Sequence, residues 1–385
     1  MKVMFVIPRF YPVIGGSENY VYSISKLLLN YDIDISVICS NPSGKNYIEE
    51  TIEGIRVYRL PYRFMISSTP MDPSWNKKIN LIVQKEKPDI INGHLPVPYI
   101  ADIAARVAFK NRIPFILTHH NDVAGHSFVT NILAKFYYYC LGFKTFKLSQ
   151  KIIVTSEYYA ESSPYLRNQR TKLEVVHCGI DVKRFDVIPT DHPRRDKTVL
   201  FVGQLNEASQ HKGLAYLIEA MQVVTTAVKD ARLRIVGKGD YVGHYKKLVS
   251  DLGMGDRVEF SGFVKDEDLP RCYNESDVVT LPSYTRAEGF GIVLIEAQGC
   301  GRPVIGSAIG GIPYAIEDGE TGLLVPPKDT SALARAIIKL LEDKEYANKL
   351  GQNGYRRVRE KFTWQGGAER TRQIFGECLS GQPKD

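Results

Sequence analysis

Apolar runs of strand length alternate with helix-period segments along the first half of this chain, and the same alternation starts again in the second half. Nothing else in the sequence narrows the fold so far, because consecutive β-α-β units bury such runs in a parallel sheet covered on both faces. In the first half, strands are expected at Val3–Ile7, Ile33–Cys39, Ile90–Asn92, Phe115–Thr118, Ile152–Thr155 and Glu174–His177, with helices such as Glu18–Leu29 and Tyr99–Phe109 between them. In the second half they are expected at Val199–Gly203, Leu233–Val236, Val258–Phe260, Val278–Leu281 and Val304–Ile305, with helices Gly213–Thr226 and Ser331–Leu341. Between the two sets, Asp186–Lys197 is polar, holds two prolines and has no apolar period, so it reads as an interdomain linker. The expected fold class is α/β: two Rossmann-like, doubly wound domains, 1–185 and 186–362, each binding ligands at the carboxyl ends of its strands and so facing a cleft.

Composition fits two buried cores: 385 residues, 44% hydrophobic and 24% charged. No run reaches the roughly eighteen apolar residues of a membrane span. The apolar stretch that ends at Pro8 is too short for a signal peptide and reads as a first buried strand. Six cysteines, at 39, 140, 178, 272, 300 and 378, form no C-x-x-C pair. That argues against a zinc knuckle and a disulfide framework, and the thiols are read as reduced and cytoplasmic. Residues 1–185 hold 23 Lys and Arg against 15 Asp and Glu, so the basic excess lies in the first half. No nucleic-acid partner is expected.

The stretch EGFGIVLIE, Glu288–Glu296, places two carboxylates around a Gly-Phe-Gly turn between a strand and a helix. Gly289 and Gly291 let the backbone come close to a ligand, and the amides of Phe290, Gly291, Ile292 and Val293 stand at the positive end of the helix dipole, where a diphosphate binds. Glu288 then faces whatever the phosphate carries on one side. Glu296, one to two turns on, faces a ribose on the other, since a carboxylate accepts from two vicinal hydroxyls. The plainer alternative is a loop acid and a solvated helix acid.

Two further stretches carry chemistry. Gly15 and Gly16 lie between the first strand and first helix, where a glycine pair lets an amide approach phosphate, and Arg9, Ser17 and Glu18 flank them as acceptor-binding candidates. Between Asp122 and Glu157 there is no acid, while Lys135, Lys144, Lys147 and Lys151 alternate with Phe128, Phe136, Tyr137, Tyr138, Tyr139, Phe143 and Phe146. An anionic membrane surface would suit residues 128–151. A core of aromatics under a solvated lysine face would suit them equally.

The chain resembles the retaining GT-B glycosyltransferases of family 4. The motifs, in order, are PVIGGSENYV at 12–21, THH at 118–120, GID with Phe185 at 179–185, VGQL at 202–205, HKG at 211–213, IVGKGD at 235–240, GFV at 262–264, EGFGIVLIEAQGCGRPVI at 288–305 and GGIPYAIEDGETGLLVPPKD at 310–329. The resemblance implies GT-B architecture, a nucleotide-sugar donor held mainly by the C-terminal domain, and transfer with retained anomeric configuration. It also implies a last helix, 363–380, that returns to the N-terminal domain. Gly16 would contact the donor's distal phosphate and His120 its sugar near the reacting carbon, with His119 packing beside it. Lys212 would neutralise the departing diphosphate, while Glu288 holds sugar hydroxyls and the acceptor attacks from the leaving-group face. Gly237 and Val264 would line the base site, leaving UDP, GDP and ADP open. The family commonly has arginine where Gln204 stands, so Gln204 or His211 would share its work, and Cys178 replaces a common asparagine without becoming a nucleophile.

The reading is a metal-independent, cofactor-free hexosyltransferase-type enzyme of glycan, polysaccharide or glycolipid synthesis, cytoplasmic and, on the membrane reading, peripheral on the inner face. The acceptor hydroxyl belongs to a lipid-linked glycan, a polysaccharide precursor or a small soluble molecule. The alternatives are a GT-B epimerase of sugar nucleotides, a phosphorylase, for which no pyridoxal lysine site is identifiable, and a non-catalytic nucleotide-sugar sensor.

Overall fold

The computed structural model describes every residue except 14, 67–68, 123–131, 133–134, 189–195 and 382–385. The chain divides into two compact units: Met1–Cys178 together with Trp364–Asp385, and Gly179–Thr363.

In the first unit an eight-stranded sheet is built from β1 (Lys2–Val6), β2 (Asp34–Ser40), β3 (Ile48–Ile52), β4 (Ile55–Leu60), β7 (Ile90–Leu95), β8 (Phe115–His119), β9 (Lys151–Val154) and β10 (Leu173–Val175). Their order is β10-β9-β8-β7-β1-β2-β4-β3, parallel throughout except for the β3–β4 hairpin. A separate antiparallel pair, β5 (Phe64–Ile66) and β6 (Thr69–Met71), stands outside it. Val3 to Val6 are fully buried, as a central strand with both faces covered must be. Helix α1 (Gly16–Leu29) follows β1, and the closing helix α13 (Trp364–Ser380) packs against it, burying Trp364, Ile374 and Phe375. Helices α2 (Trp75–Glu86) and α3 (Ile100–Lys110) pack together; the next described helices are α4 (Phe143–Leu148) and α5 (Glu157–Ser162).

The second unit holds a six-stranded, wholly parallel sheet of β11 (Lys197–Val202), β12 (Ala231–Val236), β13 (Val258–Gly262), β14 (Val278–Leu281), β15 (Val304–Ser307) and β16 (Leu323–Val325), in the order β13-β12-β11-β14-β15-β16. Its helices include α6 (Leu214–Ala227), α7 (Val242–Asp251), α8 (Leu269–Asn274), α9 (Ile292–Gly299), α10 (Ile312–Ala315), α11 (Thr330–Glu342) and α12 (Lys344–Lys361). In each sheet the winding reverses once, between β1 and β7 in the first and between β11 and β14 in the second. Loops leaving the strands at such a switch point part in opposite directions and open a crevice.

The expected linker is corrected in part. The units divide at Cys178–Gly179, and the described ends of the 186–197 segment are held within the second unit. Asp186 accepts from Tyr355 at 2.9 Å and pairs with Arg359 at 2.8 Å, while the Ile188 amide donates to Asn274 at 3.0 Å. The polar contacts of Asp186 and Ile188 anchor its first described residues there, and 189–195 lie outside the described residues.

Candidate active site

At the switch point of the second unit, two loops bring the predicted donor residues together. After β11, the chain makes a 3-10 turn, Glu207–Lys212, and enters α6. After β14 it runs through Pro282–Gly291 into α9. The Tyr284 amide donates to the His211 carbonyl at 2.9 Å and ties the two loops. Lys212 Nζ then donates to Glu288 Oε2 at 3.0 Å, and Ser283 Oγ reaches the same oxygen at 3.3 Å. Glu288 is buried. Burial works against its ionisation, but Lys212, His211 and the hydrogen bonds from Lys212 and Ser283 outweigh it and hold its carboxyl below the ordinary value.

Gly291 caps α9 with φ of 85°, a left-handed conformation that glycine adopts without strain. In the first turn of α9 the Leu294 amide donates to the Gly291 carbonyl at 2.9 Å, and a helix N-terminus otherwise leaves amides without intrahelical partners, the place where anions bind. The Phe290 ring lies in the core against Phe362 and Tyr314, so only the Phe290 backbone is left for a ligand. Glu296 is not a solvated helix acid. It is buried and accepts from Tyr273 Oη at 2.6 Å, and burial, aided by Asp266 and opposed by Tyr273 and Arg184, raises its pKa to about 7.

The remaining residues expected at the donor flank the carboxyl ends of β11 to β13. Gly237 donates its amide to the Gly262 carbonyl at 2.8 Å. A Cβ at Gly237 would lie 1.8 Å from the Gly203 carbonyl oxygen, so only glycine lets these strand ends cross. Val264 is half-buried; its neighbour Phe263 is exposed, with Lys238 Nζ 4.2 Å from the ring centre. Gln204 is exposed and accepts from Asn206 at 3.3 Å, and His211 Nδ1 lies 3.1 Å from the Ala208 carbonyl.

The first unit gathers its own cluster at the β1–β7 switch point. Gly16 opens α1, Ser17 Oγ donates to Glu18 at 3.0 Å, and Arg9 Nε pairs with Glu18 at 3.3 Å. Ser17 and Glu18 line a small cavity with Ile7, Pro8, His94 and Leu95. His120 lies just past β8, buried, with Tyr20 edge-on at 5.0 Å and its Nε2 3.0 Å from His94 Nδ1. Burial, then His119, push the His120 pKa down to about 3. His119 is buried against Tyr138 and Phe146, with its Nε2 3.1 Å from Asp122.

His94 is the residue that sequence reasoning missed. The strand was expected to stop at Asn92, whereas β7 runs to Leu95 and pairs His94 with Thr118. A period of two through Ile90, Asn92 and His94 was the available signal. Among the described residues no group of three or more His, Cys, Asp and Glu side chains is arranged to hold a metal ion.

The basic aromatic stretch separates into two faces; Phe128 lies outside the described residues. Tyr137, Tyr138 and Phe146 are 7%, 3% and 3% exposed, whereas Phe136, Tyr139 and Phe143 are 64%, 74% and 56% exposed, and Lys135, Lys144 and Lys147 are exposed beside them. Lys151 pairs with Glu174 instead. No helix among the described residues is long and apolar enough to cross a membrane.

Residues 183–357 match the family described as Glycosyl transferases group 1, and residues 14–184 match Glycosyltransferase Family 4. The O-antigen chain mannosyltransferase C of Escherichia coli is 29% identical over 372 residues, covering 94% of this chain and 95% of that protein. Among solved structures, sucrose-phosphate synthase from Thermosynechococcus elongatus superposes with a TM-score of 0.80 at 25% identity over 99% of this chain and all of the other. Anabaena HepE in complex with UDP-glucose gives 0.77 at 21% identity, over 99% of this chain and 100% of that one.

Proposed function

This chain belongs to the glycosyltransferases of group 1, family 4, with GT-B architecture, and from that premise we propose that it moves a sugar from a nucleoside-diphosphate sugar to a hydroxyl acceptor with retention of anomeric configuration. One observation carries the reading: a partly buried lysine–glutamate pair, Lys212 with Glu288, three residues before the glycine cap of α9. A diphosphate arriving at those amides finds in Lys212 a cation that is already positioned, and the charge that develops on the leaving phosphate is met without moving a counter-ion from water. Glu288, kept ionised beside it, accepts from sugar hydroxyls. Glu296 accepts from the ribose, Gly237 and Val264 line the base, and Gln204 bonds a phosphate without adding charge. The roles given to the first unit are His120 at the donor sugar, Gly16 at the distal phosphate, and Arg9, Ser17 and Glu18 at the acceptor.

The UDP-glucose complex of a protein of the same fold supports a nucleotide-sugar donor, and the mannosyltransferase relative supports a hexose. The reaction is read as metal-independent, with Lys212 and the helix amides in place of a metal ion; excess chelator should leave turnover unchanged. The exposed Phe136, Tyr139 and Phe143, interleaved with Lys135, Lys144 and Lys147, support contact with an anionic membrane and with it a lipid-linked acceptor at the cytoplasmic face. The donor is identified by thermal shift with UDP-, GDP- and ADP-sugars. A ligand at a hundred times its Kd stabilises the fold by about 2.7 kcal/mol, so one base should raise the Tm clearly above the others. No shift with any of them would remove the reading.

A further inference from the structure

Two buried imidazoles meet at the carboxyl ends of neighbouring strands. His94 on β7 and His120 just past β8 place Nδ1 and Nε2 3.0 Å apart, with ring centres separated by 5.2 Å and planes inclined by 23°. Phe5 and Tyr20 pack against His94, and Tyr20 also lies edge-on to His120. Burial in this apolar surround is the main force holding both pKa values down, so both rings are neutral near pH 7. A hydrogen bond between two neutral imidazoles holds one proton, and the ring that donates it decides where the other ring carries its own.

The two arrangements differ at their outer ends. If His120 donated from Nε2, His94 would carry its proton on Nε2. That atom is buried and has no hydrogen-bond partner among the described residues, in a ring that lines the cavity beside Ser17 and Glu18. A buried N–H with no acceptor is rarer in folded proteins than a buried lone pair with no donor. The opposite arrangement leaves only a lone pair there: His94 Nδ1–H donates to His120 Nε2, and His120 keeps its proton on Nδ1.

We propose that His94 is a positioning residue which fixes the tautomer of His120, so that His120 presents Nδ1–H, a donor, to its ligand. The bearing on sugar transfer rests on the reading of His120 as a donor-sugar contact; the tautomer itself does not, and it is measured without any substrate.

The test is a long-range 1H–15N spectrum of the full-length protein labelled with 15N in its imidazoles, with the His120 signals assigned by their loss in His120→Asn. In the wild type, His120 Nδ1 should resonate as a protonated nitrogen and Nε2 as an unprotonated one. His94→Asn, whose side-chain amide offers an N–H close to the position of Nδ1, should keep that pattern. His94→Leu should lose it and give exchange-averaged shifts for the two His120 nitrogens. A wild-type His120 protonated on Nε2 would overturn the proposal, and so would an unaltered pattern in folded His94→Leu. If the leucine variant does not fold, the wild-type spectrum decides alone.

Discussion

The carboxyl of Glu296, buried over Tyr273, has a folded pKa near 7 against an ordinary value near 4.5. Between those values the folded chain binds more protons than the unfolded one, so stability falls as pH rises through this window, and the loss is complete above it. On the proposed ribose role, binding runs the other way, because a ribose diol is best met by the ionised acceptor. Glu296→Gln, whose amide oxygen still accepts from Tyr273, should therefore raise the Tm at pH 8 but not at pH 4, while weakening nucleotide binding at pH 8 by about 1.5–3 kcal/mol. Wild-type affinity should decline from pH 8 to pH 6, and that of the variant should stay flat. Calorimetric titration with the identified nucleotide checks both; unchanged affinity in the variant would end the ribose assignment. His120→Ala should lower turnover more than nucleotide affinity, as steady-state kinetics beside titration would read. The Glu288 loop was legible at this scale because glycine spacing and acids coincide in nine residues. His94 was not, because its partner His120 is 26 residues away in sequence and meets it only through strand register.

The aromatics of the element from Lys135 to Leu148 divide between a buried and an exposed face. Its inner face is core: Tyr138 stacks on Tyr165 at 3.6 Å, and Tyr137 Oη lies 3.1 Å from Asp102. Its outer face keeps Phe136, Tyr139 and Phe143 in solvent among lysines, with a π-helical turn at Tyr138–Gly142 between flanking α-helix. Replacing Phe136, Tyr139 and Phe143 by serine, or Lys135, Lys144 and Lys147 by glutamine, should reduce co-sedimentation with anionic vesicles at low salt, at about 1 kcal/mol per lysine, and leave unfolding almost unmoved. Phe146→Ala should do the reverse, costing about 3–5 kcal/mol of stability. Wild-type protein that stays in the supernatant of both anionic and neutral vesicles would dispose of the membrane face. Sequence reasoning passed over the β3–β4 hairpin although its signal was present. Glu53 and Gly54 both have positive φ, 48° and 86°, the two-residue turn that the Glu-Gly pair permits.

At the scale of the whole molecule, the repeated strand–helix alternation made the parallel strands of both sheets readable, since a buried parallel strand is a nearly continuous apolar run. The division between the units was harder to see, because a segment with polar anchors and a solvated linker have the same composition. The chain's last helix completes the first unit: Ile374 and Phe375 are fully buried, and Phe375 lies 6.2 Å from Phe5 of β1. Each such side chain is worth about 1.5–3 kcal/mol of burial, so a chain ending at Thr363 should lose cooperative unfolding in its first unit, visible as a collapsed or split calorimetric transition. Transfer from a nucleotide sugar at the Lys212–Glu288 site is read out by following a panel of UDP-, GDP- and ADP-sugars by NMR with wild-type protein and Glu288→Gln. One donor should be consumed slowly without acceptor, releasing nucleoside diphosphate and sugar in the donor's own anomeric configuration, and the variant should bind the nucleotide but turn over at least about tenfold more slowly. Binding without consumption, or a donor returned as an isomerised sugar nucleotide, would contradict it.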